Sequence, residues 1–253
     1  MKKIKVGVIP AAGKGNRISE LPLTRILPKP MLPVVNKPIL EYAIQNMRRL
    51  GVEIIYVIIG HKKELIKEYF QGGEDWNVII EYVEQKNPKG IAHAISLTKD
   101  YINEPFMVIL GDDLTIAESL DNLIETFWER SALTVEGVIP ESDIEVLKRT
   151  CCVVLGDKGK IEEIVEKPLV PKSKLRGAGV YLFHPKVFEF IERTPISPKR
   201  NKKEITDTIG LIAVEEKAYG APIKGININI NTFEDLMRAI TLLIQHRETK
   251  LVN

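Results

Sequence analysis

Apolar residues recur along this chain with two alternating periods. Residues 4–9 (IKVGVI), 54–59 (IIYVII) and 106–110 (FMVIL) are nearly all apolar, as strands covered on both faces are. Residues 78–83 and 132–139 are predicted as further strands. Between them, residues 38–50 carry apolar positions at helical spacing, with Pro38 near the first turn and Gly51 as the stop. Helices are likewise expected over 62–70, 91–100 and 119–130. Strands separated by helical patterns predict an α/β fold with a mostly parallel central sheet. The long segment 10–37, with five prolines, is read as a loop.

The pattern changes after residue 140. Residues 150–155 and 160–166 are β-prone and flank Gly156-Asp157-Lys158-Gly159, which predicts a hairpin. A strand over 177–183, helices over 185–192 and 204–216, a strand over 222–230 and a final helix over 233–247 follow. No linker divides the chain, so a single domain is expected over 1–253. Its halves are 1–140 and 141–253, with a β-rich insertion around 140–176 that holds the hairpin near 150–167.

Composition alters this picture only in one place. Of 253 residues, 44% are hydrophobic and 28% charged, with a net charge of +2, which supplies no global field for nucleic acid or a membrane. Residues 1–37, however, hold eight basic side chains against the single acid Glu20, a net +7, while the other 216 residues are net −5. The two cysteines, Cys151 and Cys152, are neighbours and point to opposite faces of a strand. A disulfide is therefore not expected, and a cytoplasmic location fits. No apolar run is long enough to span a bilayer. The apolar start is too short for a signal peptide. The four histidines lack zinc-site spacing.

The basic excess gathers directly after the first strand, in Pro10-Ala11-Ala12-Gly13-Lys14-Gly15-Asn16-Arg17. Ligands of open α/β sheets bind at the carboxyl ends of strands, and small residues let backbone N–H groups approach phosphate oxygens. The spacing fits neither GxGxxG nor GxxxxGK[ST]. Lys14 and Arg17 are placed to grip phosphates, and Lys29 to reach the same anion. Asp112 and Asp113 close an apolar strand at the same edge, where a carboxylate beside phosphates holds Mg²⁺. Glu166 and Lys167 end a later strand. They suit a sugar hydroxyl and a phosphate, and equally suit an exposed ion pair. Gln85, ahead of Gly90, can donate and accept toward a base edge, or sit in an ordinary surface loop.

Taken together these stretches resemble the sugar-phosphate nucleotidyltransferases, most of all the glucose-1-phosphate uridylyltransferases and thymidylyltransferases. Ala11-Ala12-Gly13-Lys14-Gly15-Asn16-Arg17 followed by Pro28-Lys29-Pro30-Met31-Leu32-Pro33-Val34 carries the likeness, with Gly111-Asp112-Asp113, Glu166-Lys167-Pro168, Gly177-Ala178-Gly179 and Glu204-Ile205-Thr206-Asp207 behind it. The resemblance implies a Rossmann-like three-layer fold and transfer of a nucleotidyl group from UTP to glucose 1-phosphate. It implies Arg17, Lys29, Asp112 and Lys167 as catalytic residues. Ala11 to Gly15, Gln85, Gly90 and Asp112 would bind the nucleotide. Asp113, Glu166, Lys167 and Gly179 would bind the sugar phosphate. Mg²⁺ would lie on Asp112 and Asn229. Partners would be these small molecules and further copies of the chain. Two departures stand out: Asn229 occupies the position of the family's second acidic metal ligand, and Asn231 that of a glycine. Rival readings are a thymidylyltransferase or a transferase for another sugar phosphate. A non-catalytic nucleotide-sugar binding protein is motivated by Asn229. No second catalytic module is expected.

Overall fold

The computed structural model describes residues 3–13, 15, 18, 21–215 and 217–252. Strand β1 (Val6–Pro10) leads into two short 3-10 turns, Pro22–Arg25 and Lys29–Met31. A two-residue ribbon follows, β2 (Pro33–Val34) with β3 (Lys37–Pro38), and then α1 (Ile39–Arg49). The expected loop over 10–37 is thus partly folded. Next come β4 (Ile54–Ile59), α2 (Lys63–Phe70), β5 (Ile79–Glu84), α3 (Ile91–Ser96) and β6 (Phe106–Ile109). These follow the apolar pattern to within a few residues, although the helix expected to reach residue 100 ends at Ser96 and gives way to turns.

Period-two alternation then builds the layers. In β4, Ile55, Val57 and Ile59 join a core with Leu40, Ile44 and Met47 of α1 and with Phe70 of α2. Ile58, from the other face, joins Val6 and Val8 of β1 and Phe106 and Val108 of β6 in a second core. Each fully buried aliphatic side chain contributes roughly 1.5–3 kcal/mol by leaving water. Gly7 is required where Met47 presses on β1, because a Cβ there would collide with the methionine sulfur.

The second half departs further from the sequence pattern. Strand β7 (Asp113–Ala117) precedes α4 (Asp121–Glu129), and β8 (Thr134–Pro140) is followed by a short helix, α5 (Ile144–Arg149). Neither β7 nor α5 is anticipated above. Asp143 starts α5 as its N-cap, with Oδ1 accepting from the Glu145 N–H at 2.8 Å. The hairpin is present as β9 (Cys151–Leu155) and β10 (Ile161–Glu166), antiparallel with Glu166 opposite Cys151. After β11 (Leu175–Phe183), α6 (Val187–Arg193) and α7 (Ile205–Val214) comes a strand not anticipated above, β12 (Ala218–Pro222), and then β13 (Gly225–Asn229), which falls within the strand expected over 222–230. Pro222 brings no N–H to a ladder. Gly225, at φ 123°, turns where a Cβ would strike the Ile116 carbonyl. The chain closes with α8 (Phe233–Val252).

Among the described residues nine strands form one sheet, with the path β10-β9-β11-β6-β1-β4-β5 and with β8 and β12 attached through β11. Pairing is parallel through β6, β1, β4 and β5 and between β8 and β12. It turns antiparallel from β11 outward to the hairpin. The helices α1, α2 and α4 cover one face, and α3, α6 and α7 the other. This is the expected α/β architecture with three layers. A third, smaller core sets Leu236, Ala239 and Leu243 of α8 against Leu114 of β7, Ile228 of β13 and Leu32 of the segment after β1. It pins the start of α8 beside the carboxyl end of β1.

Candidate active site

The cleft of interest, about 1620 Å³ with its open mouth, lies at the carboxyl ends of the parallel strands. Close backbone packing makes its floor. The Ala11 N–H donates to the Ile58 carbonyl at 2.8 Å, and the Gly111 N–H to the Pro10 carbonyl at 3.1 Å. A Cβ on Gly60 would stand 3.0 Å from Ala12, and one on Gly111 would stand 3.2 Å from the Ala11 Cβ. Three strand ends therefore meet so closely that a side chain at either glycine would press on its neighbours. Ala11, Ala12, Gly13 and Gly15 line this floor, and a Cβ on Gly13 would meet only open space. Gly15 has φ 66° and sits over the Lys29 side chain, 3.0 Å from a built Cβ to the Lys29 Cβ. Lys14, Asn16 and Arg17 lie outside the described residues.

Lys29 is 5% exposed, and its ammonium is held inside the cleft. It donates to Asp112 Oδ2 at 2.7 Å and to Asn231 Oδ1 at 3.2 Å. Asp112 and Asp113, adjacent in sequence, have different surroundings. Asp112 lines the cleft with a 35% exposed side chain. Asp113 is buried at the start of β7 and accepts from Asn229 Nδ2 at 2.6 Å. Gly179, at φ 66°, makes room for it: a Cβ there would stand 2.5 Å from Asp113 Oδ2. Asp113, Gly179 and Asn229 thus form a cluster separate from the residues that line the main cleft.

Gln85 and Gly90 line the opposite rim. Gln85 Nε2 donates to His93 Nδ1 at 2.8 Å and approaches the Gly90 carbonyl at 3.4 Å. Burial, then the Lys89 and Lys203 charges, holds the His93 imidazole below its ordinary value. That favours the neutral ring, which can accept this bond. The amide nitrogen is thereby committed to the protein, and Oε1 remains as the side chain's acceptor. Gly90, at φ 110°, begins α3 against the Lys203 carbonyl, where a Cβ would collide.

The far wall comes from the antiparallel side. Glu166 ends β10, Lys167 follows it, and both line the cleft. Lys167 adopts φ 50°, and its N–H donates to the Thr150 carbonyl at 2.7 Å. Arg200, Lys202 and Glu204 from the segment before α7 complete the wall. Arg200 Nη1 is 3.2 Å from Glu166 Oε1, and its Nε is 3.1 Å from Glu204 Oε1. The roles of Arg200 and Lys202 are not foreseen above. The run Lys199-Arg200-Asn201-Lys202-Lys203 just before a helix start was the available signal. Behind this wall, β8 buries Glu136 fully, with Oε1 3.7 Å from the Cys151 sulfur. Burial, with the Glu166 charge a lesser cause, pushes the Glu136 carboxyl up to about 8. Both cysteines are buried and free.

The fold and the cleft together are those of Rossmann-like nucleotidyltransferases. The model of the nucleotidyl transferase family matches residues 6–245, and the chain belongs to that family. It is 37% identical over 244 residues to the bifunctional protein GlmU of Methanocaldococcus jannaschii, covering 96% of this chain and 55% of the relative. The chain thus spans about half the length of that relative. It is 31% identical over 256 residues to the UTP–glucose-1-phosphate uridylyltransferase of Staphylococcus epidermidis, covering 89% of this chain and 87% of the relative. Its structure is similar to a UDP-glucose pyrophosphorylase complexed with UDP-glucose, at TM-score 0.84, 28% identity, 96% of this chain and 99% of the other. It is also similar to a Bacillus anthracis chain assigned as a glucose-1-phosphate thymidylyltransferase and solved with sucrose. There the TM-score is 0.83 at 28% identity, with 94% of each chain covered. Among the described residues no helix is long and apolar enough to cross a membrane.

Proposed function

We propose that this protein transfers a nucleotidyl group from UTP to glucose 1-phosphate, forming UDP-glucose and pyrophosphate. The observation that carries the reading is the facing of two cationic walls across one cleft. Lys29 is held at Asp112 near the ends of β1 and β6, and Lys167 stands on the β10 side. A sugar phosphate oxygen is already ionised and attacks the α-phosphorus in line. The P–O bond to the β-phosphate breaks, and pyrophosphate leaves with the electron pair. No protein nucleophile is needed, so the protein's work is alignment and charge neutralisation. The backbone over Ala11–Gly13 and Gly15 would hold the triphosphate, joined by Arg17. Lys29 would stabilise charge on the departing pyrophosphate. Lys167 would hold the sugar phosphate and Glu166 the sugar hydroxyls. Gln85 Oε1 would accept a pyrimidine N3–H.

Mg²⁺ fits the donors present. The ammonium of Lys29 already sits between the Asp112 carboxylate and an amide oxygen, so the site favours positive charge and offers the hard oxygen ligands Mg²⁺ requires. Among the described residues no three His, Cys, Asp or Glu side chains gather as a metal cage. A cation held chiefly by one carboxylate and substrate phosphates is the usual arrangement for Mg²⁺. When bound, the ion would screen repulsion between the two phosphate groups.

The uridylyl preference is supported by the Staphylococcus relative and the UDP-glucose complex. The Bacillus structure supports dTTP as the alternative nucleotide, since an amide acceptor at N3–H serves both bases. The test is a matrix of nucleoside triphosphates against sugar 1-phosphates, read by pyrophosphate release. UTP with glucose 1-phosphate is expected to turn over fastest. No release from any pair would overturn the enzyme reading and favour a non-catalytic binding protein.

A further inference from the structure

The turn between β4 and α2 is seated on the cleft floor and on the Gln85 rim. Gly60 opens it, and a Cβ there would stand 3.0 Å from the Ala12 Cβ and carbonyl oxygen and 3.2 Å from the Gln85 carbonyl oxygen. The Gln85 N–H donates to the Ile59 carbonyl at 2.8 Å. Lys63 Nζ is 2.7 Å from Glu84 Oε2, which ties the turn to the end of β5. Lys62 reaches the other way. Its ammonium donates to the Thr24 carbonyl at 3.2 Å and, more closely, to the Arg25 carbonyl. Its backbone is left-handed, with φ 52° and ψ 38°, a conformation that is unfavourable for any residue with a Cβ.

The segment that Lys62 grips is an arch with its feet at Gly15 and Lys29. The feet are packed together, 3.0 Å from a Cβ built on Gly15 to the Lys29 Cβ, and both line the cleft. The arch between them has little apolar anchorage. None of residues 21–27 is buried, and Leu23 and Ile26 are 41% and 67% exposed. Thr24 Oγ1 donates to the Leu21 carbonyl at 2.7 Å and to the Ile18 carbonyl at 3.3 Å, but these bonds tie the arch to itself. Among the described residues, Lys62 supplies the only hydrogen bonds that join residues 21–27 to the body of the protein.

We propose that Lys62 is a positioning residue for the triphosphate: it clamps the arch to the turn seated on Ala12, and so fixes Gly15 and Lys29 relative to the cleft floor. Bonds from an ammonium are the stronger kind, and here they stand in for burial that the arch lacks. Lys62 does not itself line the cleft, so it acts through the arch and not on substrate. The role toward the nucleotide rests on the transferase reading; the clamp does not.

Trypsin reads the clamp without turnover, because Arg25 is exposed and the carbonyl of its scissile bond is one that Lys62 holds. Cutting of a native protein proceeds through local opening. Release of the fragment that begins at Ile26 is expected to be about tenfold faster in Lys62→Met, the factor set by losing a hydrogen bond from a charged group. Methionine keeps the stem and the same backbone conformation. Lys62→Arg can still donate to both carbonyls and should stay within about threefold of wild type. In pyrophosphate release, Lys62→Met is expected to raise the KM for UTP about tenfold, with kcat and the KM for glucose 1-phosphate changed less than about threefold. Circular dichroism melting confirms that each variant is folded. The proposal is overturned if Lys62→Met is cut no faster than wild type, if both KM values rise together, or if Lys62→Arg behaves as Lys62→Met does. Turnover with unchanged cutting removes only the clamp. Absence of turnover by the wild type removes the transferase and with it the role toward UTP, while cutting still decides the clamp.

Discussion

Gly179 leaves the space that the Asp113 carboxylate fills, with only 2.5 Å between a built Cβ and Asp113 Oδ2. The glycine also stands at φ 66°, so an alanine there meets backbone strain and a collision with a buried acid. The acid cannot simply move aside, since Asn229 holds its other oxygen. Gly179→Ala is expected to cost about 2–4 kcal/mol. A fall in Tm of roughly 5–10 °C in a thermal melt checks this. An unchanged Tm would show that Asp113 has another conformation open to it.

Lys29→Ala removes the cation held at the cleft floor and leaves Asp112 without it. Because Lys29 is almost wholly inside the cleft yet outside the apolar cores, the effect should fall on catalysis more than on folding. A loss of roughly 100–1000-fold in kcat is expected, as for removal of one group that stabilises transition-state charge. Pyrophosphate release measured beside a melting curve separates the two effects.

Glu136 gives a pH signature. Its carboxyl is raised from 4.5 to about 8, burial being the largest cause. Between those values the folded protein holds a proton that the unfolded chain has released. Stability therefore falls as pH rises from about 4.5 to about 8, then levels off. Glu136→Gln keeps the shape without the titration. Its stability advantage over wild type should grow across that window, by an amount of order a few kcal/mol, and its Tm advantage with it. Parallel Tm–pH curves for the two proteins would refute this.

His93 fixes the Gln85 amide through the 2.8 Å contact at Nδ1. His93→Phe frees that amide to rotate and so blurs what it presents to a base. A rise of about tenfold in KM for the nucleotide, with kcat little changed, is expected from the loss of one such bond. Equal effects on KM for the sugar phosphate would place the residue elsewhere in the mechanism.

Much of the scaffold was legible because strand alternation and helix periodicity act locally. The nearly continuous apolar run of β4 does separate into two cores, and Pro38 and Gly51 do bracket α1. What escaped depends on partners distant in sequence. Strand β7 is a strand only because β13 pairs with it, and β12, which was not expected, is one because it lies beside β8, far earlier in the chain. The site followed the same rule. Lys29 and Asp112 were readable from their motifs. That Asn229 faces Asp113 while Asn231 faces Lys29 is a matter of register. Arg200 reaches Glu166 across 34 residues, and no short pattern records that contact.

The sheet changes from parallel to antiparallel pairing where β6 meets β11. On one side, three strand ends are packed so closely that a Cβ at Gly60 or Gly111 would stand 3.0–3.2 Å from its neighbours. On the other, Glu166 and Lys167 hang from an edge hairpin whose strands touch β11 but not β6. The two walls of the cleft therefore have unequal freedom to vary. Cys151, Val153 and Ile161 of the hairpin share the second core with Val6, Val8 and Ala12, so the freedom lies with its exposed positions, such as Glu162 and Val165, and with the turn after β10. A library confined to those exposed hairpin positions, assayed against several sugar 1-phosphates, is expected to change the preferred acceptor more than the KM for the nucleoside triphosphate.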